Sequence, residues 1–344
     1  MTRIHRTCFF LLLAILPLTQ WAQTPEATAI ATIFDHWYTG DDQTIDLRIH
    51  TNLGQLFRNP DKEVYQEAEV SVTFADGSTE DYSGKVRLRG NMRREVCQIP
   101  PLKLKFKKKD MTDRGWLPHN DLKIVLPCRS TMPSEQDLIA EFLTYRMYGQ
   151  MSALSLRVQM VRIHLTDSEG RKNDQELLAF IIEPVETLAA RFALQEAERT
   201  SYRESFLEKD PYRQMAFFQY MIGNTDWNVY NGHNLKFIGG APFKRLVAVP
   251  YDFDYSAVVG TSYAVPHESL PIRSVTQRLY RGLSCEEQEA LDLIQFFSTR
   301  EAELLQPVQT HPLLEKGKQK EMLNYLEGFF RQLDKTKGLV AELK

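Results

Sequence analysis

The segment from Asp210 to Tyr255 constrains the fold of this 344-residue chain more than any other, because it fixes an order of elements. Asp210-Pro211 places a capping residue before a proline at the first helical position, and Met215, Phe217, Phe218, Met221 and Ile222 carry an apolar pattern that stops at Gly223. A polar loop follows: Asn224-Thr225-Asp226-Trp227-Asn228-Val229-Tyr230-Asn231-Gly232-His233. Residues 234–238 predict a strand, Gly239-Gly240-Ala241-Pro242 a turn, and residues 245–249 a returning strand. That strand runs into Pro250-Tyr251-Asp252-Phe253-Asp254-Tyr255. Helix, Asp loop, hairpin and Asp turn thus succeed one another within a short stretch.

Two carboxylates delivered by successive turns, with amides between them, suit phosphoryl transfer. One carboxylate accepts or orients an attacking hydroxyl, while another, with an amide oxygen, holds Mg²⁺ against nucleotide phosphates. Asp226 and Asn231 have the five-residue separation of the catalytic Asp and metal-binding Asn of protein kinases, and Asp252 opens a turn further along. The spacing alone recurs by chance, so the order of elements carries the weight. A plainer reading is that Asp226, Asn231 and Asn234 cap turns and that Asp252 and Asp254 sit on a solvated strand end. Taking Asp252-Phe253-Asp254 as the D-x-D metal site of a glycosyltransferase lacks support, because no dinucleotide-type Gly-rich turn accompanies it.

Arg3 and Arg6, an apolar run from Cys8 to Leu18, and Ala22-Gln23 predict a secretory signal peptide over residues 1–23. No later run is long and apolar enough for a membrane span, so the expectation is an exported chain, periplasmic or secreted, without a transmembrane span after cleavage. A net charge of -3 argues against a general nucleic-acid binder. Of the cysteines beyond the leader, Cys97 and Cys128 flank strand-like segments and are the expected disulfide, which leaves Cys285 free and buried. Three unclustered cysteines are a poor zinc signature.

The first part of the mature chain is β-rich. Ala68, Val70, Val72 and Phe74 alternate with polar residues, Asp76-Gly77 turns the chain, and Val86 and Leu88 alternate on the return. After Pro100-Pro101, Leu102, Leu104 and Phe106 alternate with Lys103, Lys105 and Lys107. The lysines either form a solvated face that discourages edge pairing or, with Arg89, reach nucleotide phosphates. Ser134 and Asp137 predict a helix start whose stripe is Leu138, Phe142 and Tyr145. Glu141 on this helix either pairs with a phosphate lysine or lies in solvent beside Asp137. Residues 177–182 predict a strand ending at Glu183-Pro184, where Glu183 orients an interlobe hinge or caps the helix-prone stretch 185–198. From Ser284 onward the pattern is helical, with Ser284-x-x-Glu287 as a capping box. No His-plus-nucleophile arrangement or nucleophile elbow supports a serine hydrolase.

Val86-Arg87-Leu88-Arg89-Gly90-Asn91, Pro101-Leu102-Lys103-Leu104-Lys105-Phe106, Phe180-Ile181-Ile182-Glu183, Gly223-Asn224-Thr225-Asp226 and Pro250-Tyr251-Asp252-Phe253-Asp254 together resemble the spore-coat-protein-H (CotH) family of secretory, atypical kinases. The match spans roughly residues 80–260. It departs from the family at Thr225 and Trp227, which flank Asp226 without an adjacent basic residue, and at Arg93-Arg94-Glu95, which stand where the family has a small, Ser-rich loop. The chain is also similar to exported Bacteroidetes proteins that share the D-W and Y-D-F-D-Y segments, a likeness that implies no substrate.

The resemblance implies an α+β, two-lobed kinase-like fold. A β-rich lobe with an antiparallel sheet would cover residues 24–184, and a mostly helical lobe residues 185–344. It implies Asp226 as the catalytic residue, and Asp252 and Asp254 with Asn231 or Asn234 at the metal. Arg89, Asn91, Lys103, Lys105, Glu141 and Glu183 would serve the nucleotide. Mg²⁺ or Mn²⁺ and ATP are the implied cofactors, and an extracytoplasmic protein is the implied substrate. The alternative is an inactive, kinase-like binding or assembly protein of the cell envelope.

Overall fold

The computed structural model describes residues 32–40, 43–59, 61, 63–90 and 92–344. The leader expected over residues 1–23 and Asn91 lie outside the described residues. No helix among those described is long and apolar enough to cross a membrane.

The chain folds as a mixed α/β structure whose first part is a barrel. Strands β1 (Ile45–Thr51), β2 (Gln66–Thr73), β3 (Thr79–Leu88), β4 (Leu102–Phe106), β5 (Asp121–Val125), β6 (Val158–Asp167) and β7 (Gln175–Ile182) close in the order β1-β2-β3-β4-β5-β7-β6. The hairpin expected at Asp76-Gly77 is present, with Thr73 paired to Thr79. The sheet is not purely antiparallel, however, because β1 closes it by running parallel to β6, from Ile45 opposite Val161 to Thr51 opposite Asp167. Closure leaves no free edge, so the lysines of β4 do not guard one: β4 lies between β3 and β5.

Alternation decides which residues fill the barrel. Ile45, Leu47, Ile49, Val70, Val72, Val86, Leu104, Leu122 and Ile124 point inward and are buried. Short helix α1 (Ile33–Trp37) precedes β1, and α2 (Leu53–Arg58), α3 (Met92–Val96) and α4 (Lys108–Asp113) intervene between strands; Trp37 of α1 packs edge-on against Tyr82 and Phe106. On β7 both faces are covered: Ala179 and Ile181 belong to the barrel core, Phe180 and Ile182 to a second core outside it. That second core begins at α5 (Met132–Met151), which is buried on nearly every side because it lies between barrel and helices.

The second core continues through α6 (Val185–Arg191), α7 (Lys209–Ile222), α8 (Glu287–Ser298), α9 (Glu301–Thr310), α10 (Lys316–Leu333) and α11 (Thr336–Leu343). The helix-prone stretch beyond Glu183 is shorter than its composition predicts. α6 ends at Arg191, Ala193 takes a left-handed φ of 53°, and Gln195–Glu196 become strand β8 instead. β8 joins the expected hairpin, β9 (Leu235–Gly239) and β10 (Val247–Pro250), in a three-stranded antiparallel sheet ordered β10-β9-β8. Cys97 and Cys128 are disulfide-bonded, and Cys285 is free and buried.

Candidate functional site

The Asp226 loop leaves α7 through Gly223, whose backbone is left-handed at φ 66°. Only glycine fits there, since a Cβ would stand 2.1 Å from the Tyr325 hydroxyl and 2.8 Å from Ala257 Cβ. Asn224, fully buried, accepts the Asp226 amide on Oδ1 at 3.0 Å and takes the Trp227 indole N–H on its carbonyl at 3.2 Å. Arg281 stacks on Trp227 and donates to the carbonyls of Thr225 and Trp227. The loop is therefore held from three sides.

This scaffold fixes the Asp226 carboxylate. His233 Nε2 lies 2.9 Å from Oδ1, and Asn234 Nδ2 donates to Oδ2 at 3.0 Å and to the Asp226 carbonyl at 2.7 Å. The bond to Asp226 raises the His233 pKa above its ordinary value, ahead of the opposing effect of burial. Asn234 reaches this position by adopting a left-handed φ of 53° just before β9. Asn231 behaves differently: it is exposed and its Oδ1 accepts the His233 amide at 3.1 Å, so it builds the turn. Of the two asparagines the sequence left open, Asn234 lines the cleft and Asn231 does not.

Asp252, at the end of β10, is also left-handed, with φ 62°. Such a backbone costs a non-glycine residue about 1 kcal/mol and persists only where surroundings impose it. Here the Asp252 amide donates to the Tyr145 hydroxyl at 2.8 Å, and the next ring, Phe253, is 0% exposed and packs edge-on against Tyr145. Asp254 is buried, and its Oδ2 accepts the Tyr263 hydroxyl at 2.8 Å. Burial first, and then the neighbouring Asp252 charge, push its carboxyl up to about 7.

Asp226, Asn234, Asp252 and Asp254 line one cleft of about 380 Å³. The same cleft is lined by Arg89, just past β3, by Arg93 on α3, and by Lys103 and Lys123 on β4 and β5. Register explains their concentration. Arg87 lies opposite Lys103 across β3 and β4, and Lys103 opposite Lys123 across β4 and β5. Like charges directly opposite one another weaken a sheet unless an anion intervenes. Arg87 meets Glu63 at 3.3 Å and Lys103 meets Asp121 at 2.9 Å, whereas Lys123 and Arg89 have no carboxylate partner among the described residues. Lys123 lies against the Tyr251 ring at 5.3 Å, and burial, reinforced by Arg89, Lys236 and Lys103, lowers its ammonium to about 8.

Other expected residues lie elsewhere or pair differently. Lys105 is exposed, near the Tyr65 ring and outside the cleft. Glu183 does not line the cleft, because its buried carboxylate is bound by Arg157 and by Arg191 at the barrel-to-helix junction. Glu141 is neither solvated nor paired with a strand lysine; it is 2% exposed, stands 3.8 Å from Arg93, and burial holds its carboxyl well above the usual range. Lys123, Arg93 and His233 were missed in sequence. For Lys123 the alternation Asp121-Leu122-Lys123-Ile124 was a usable signal; for the other two only the folded loops bring them in.

Among the described residues no group of three or more His, Cys, Asp or Glu side chains forms a metal cage. The nearby carboxylates Asp252 and Asp254 with the Asn234 amide offer a set of hard oxygen ligands of the kind Mg²⁺ completes with water and phosphate oxygens.

No family model matches the chain, and no curated protein matches it. Among solved structures it is similar to the crystal structure of a Helicobacter pylori proinflammatory kinase, CtkA, at 10% identity and a TM-score of 0.38, covering 83% of this chain and 96% of that one. At that TM-score the likeness carries no argument about the site.

Proposed function

We propose that the chain is an exported phosphotransferase of the CotH-like kinase type that uses ATP with Mg²⁺ or Mn²⁺ to phosphorylate an extracytoplasmic protein. The observation that carries this reading is the bipolar cleft: cations without acid partners, Arg89 and Lys123, face Asp226, Asp252 and Asp254 across a single cavity. A polyphosphate bridged to a divalent cation complements both walls at once.

In this reading Asp226 orients the acceptor hydroxyl and takes its proton, while His233 and Asn234 keep its carboxylate aimed. Each oxygen of Asp226 retains a second lone pair for that bond. Arg89, Lys103 and Lys123 neutralise phosphate charge, and Asp252 and Asp254 would hold the metal. The elevated Asp254 carboxyl fits such a role, since a bound cation relieves the repulsion that burial and Asp252 impose. When bound, the metal would screen the phosphate oxygens.

Incubating mature protein with labelled ATP, Mn²⁺ and an extracytoplasmic extract tests the reading. Transfer by the wild type should fall about 10²- to 10⁴-fold in Asp226→Asn. Equal labelling by both would remove Asp226 from the mechanism. A second reading, binding without transfer, is favoured by the engagement of both Asp226 oxygens with His233 and Asn234. Calorimetric, Mn²⁺-dependent ATP binding without any labelled product would select it.

A further inference from the structure

Arg93 presents a problem that the proposed roles leave unsolved. It sits on α3, is 9% exposed, and forms part of the wall between the cleft and a larger cavity of about 790 Å³ that holds none of the three aspartates. Its Nη2 donates to the Leu126 carbonyl. Its Nη1 stands 3.8 Å from Glu141, beyond hydrogen-bond length, and its Nε finds no acceptor. A buried guanidinium with donors unmet is costly, and a native fold keeps one where something else meets them. The planar fork matches the oxygens of a phosphate, and the cleft already gathers Arg89 and Lys123.

The chain around Arg93 is clamped. Cys97, just past α3, is bonded to Cys128, and the Cys128 carbonyl accepts the amides of Gln98 at 2.9 Å and Ile99 at 3.2 Å. Leu126, which receives Nη2, lies two residues before Cys128. The disulfide thus ties the helix that carries Arg93 to the strand end that orients its side chain.

We propose that Arg93 grips the phosphate end of the substrate bound in the cleft, and that the Cys97–Cys128 disulfide holds it in position to do so. This rests on the phosphotransferase reading above. The competing explanation is that Arg93 serves only as counter-charge to Glu141, Asp254 and Asp252, whose charges all act on it; a double variant removes the Glu141 part, and Arg93→Lys, which keeps the charge and loses the fork, separates the rest.

The test is calorimetry of the mature chain with Mn²⁺ and either ATP or inorganic tripolyphosphate, with thermal melts to confirm folding. Arg93→Gln should weaken both ligands by at least about tenfold, and Arg93→Gln/Glu141→Gln should stay as weak. Cys97→Ser/Cys128→Ser should also lose affinity while remaining folded. Wild-type affinity in the double Gln variant would overturn the proposal, because neutralising Glu141 would then have sufficed. Unchanged affinity in the folded Cys variant would overturn the role of the disulfide. Where Arg93→Gln does not fold, Arg93→Lys decides, since an ammonium keeps the charge and loses the fork: affinity should drop several-fold, and no change would overturn the grip. If the wild type binds neither ligand, the phosphotransferase reading itself falls and this role with it. If the wild type binds and Arg93→Gln binds equally well, only this role falls.

Discussion

The two walls of the cleft are made by opposite means. On the barrel side Lys103 and Lys123 ride regular strands and face each other simply because register puts them there, while Arg89 and Arg93 follow in the connection from β3 to β4. On the opposite side they ride turns, and each turn needs a special backbone: Gly223, Asn234 and Asp252 are all left-handed. Regular strands supply charge cheaply but do not aim it finely. The turns cost conformational strain and are held by named bonds: His233 and Asn234 fix the Asp226 carboxylate, and the Tyr145 hydroxyl, accepting the Asp252 amide, fixes the backbone that carries Asp252. The difference suggests a division of labour: the barrel wall attracts an anion, and the turns do chemistry on it.

Removing chemistry from the turn side should therefore have the largest effect. Asp252→Asn keeps the size, the left-handed tolerance and the amide bond to Tyr145 but deletes the charge proposed to hold the metal. Transfer of labelled phosphate should fall by about 10³-fold or more, with the melting temperature nearly unchanged. A comparable loss of transfer from Lys103→Met on the barrel wall would break the division of labour, because that wall would then be doing chemistry as well.

The same difference explains what could be read in the sequence. The turn side was legible because its residue types are restricted: Gly223 after an apolar stripe, Asp226, and the Tyr251-Asp252-Phe253-Asp254 turn declare themselves. Asn231 drew attention by spacing, yet the chain places Asn234 beside Asp226, a choice made by three-dimensional turn geometry. The barrel wall was ambiguous because alternating lysines look alike on any solvated strand, so Lys105 was named and Lys123 overlooked. Glu183 could not be told from a ligand until Arg157, 26 residues earlier, and Arg191 were seen to close on it. β1 went unread although Ile45, Leu47 and Ile49 alternate with Asp46, Arg48 and His50 beside the neighbouring strand β2; only its parallel closure on the distant β6 has no local mark. The start of α8 was also displaced, since Glu286 and Glu289 form its capping box rather than the Ser284 and Glu287 pattern.

A geometric change on the turn side should rank next. Gly223→Ala forces a Cβ into the Tyr325 hydroxyl and Ala257 and imposes a left-handed alanine. It should cost about 2 to 4 kcal/mol in urea unfolding, since strain and overpacking add. If the fold survives, transfer should drop more than ATP affinity, because the loop aims Asp226 and does not grip phosphate. An equal loss in both would say that turn and barrel wall are not separable.

The smallest effect sharpens the contrast most, because stability and function should move in opposite directions. Lys123 is a half-buried cation without an acid partner among the described residues, lowered to about 8 from an ordinary 10.5. Between those two pH values the unfolded chain holds a proton that the folded chain has released, so this group makes stability rise with pH across that window. Below pH 8 Lys123 is charged in both states, and its burial is a net cost of at most roughly 3 kcal/mol. Lys123→Met should accordingly stabilise the protein at pH 7, by about 1 to 2 kcal/mol after relaxation, and flatten this part of the rise above pH 8. Tripolyphosphate affinity should meanwhile fall about tenfold at pH 7. In the wild type that affinity should decline as pH passes through 8 and Lys123 sheds its proton, a decline the Met variant lacks. Calorimetry and urea titrations at pH 7 and 9.5 give both quantities. A variant that loses stability along with affinity would make Lys123 an ordinary structural lysine, and the barrel wall would then owe its charge to register alone.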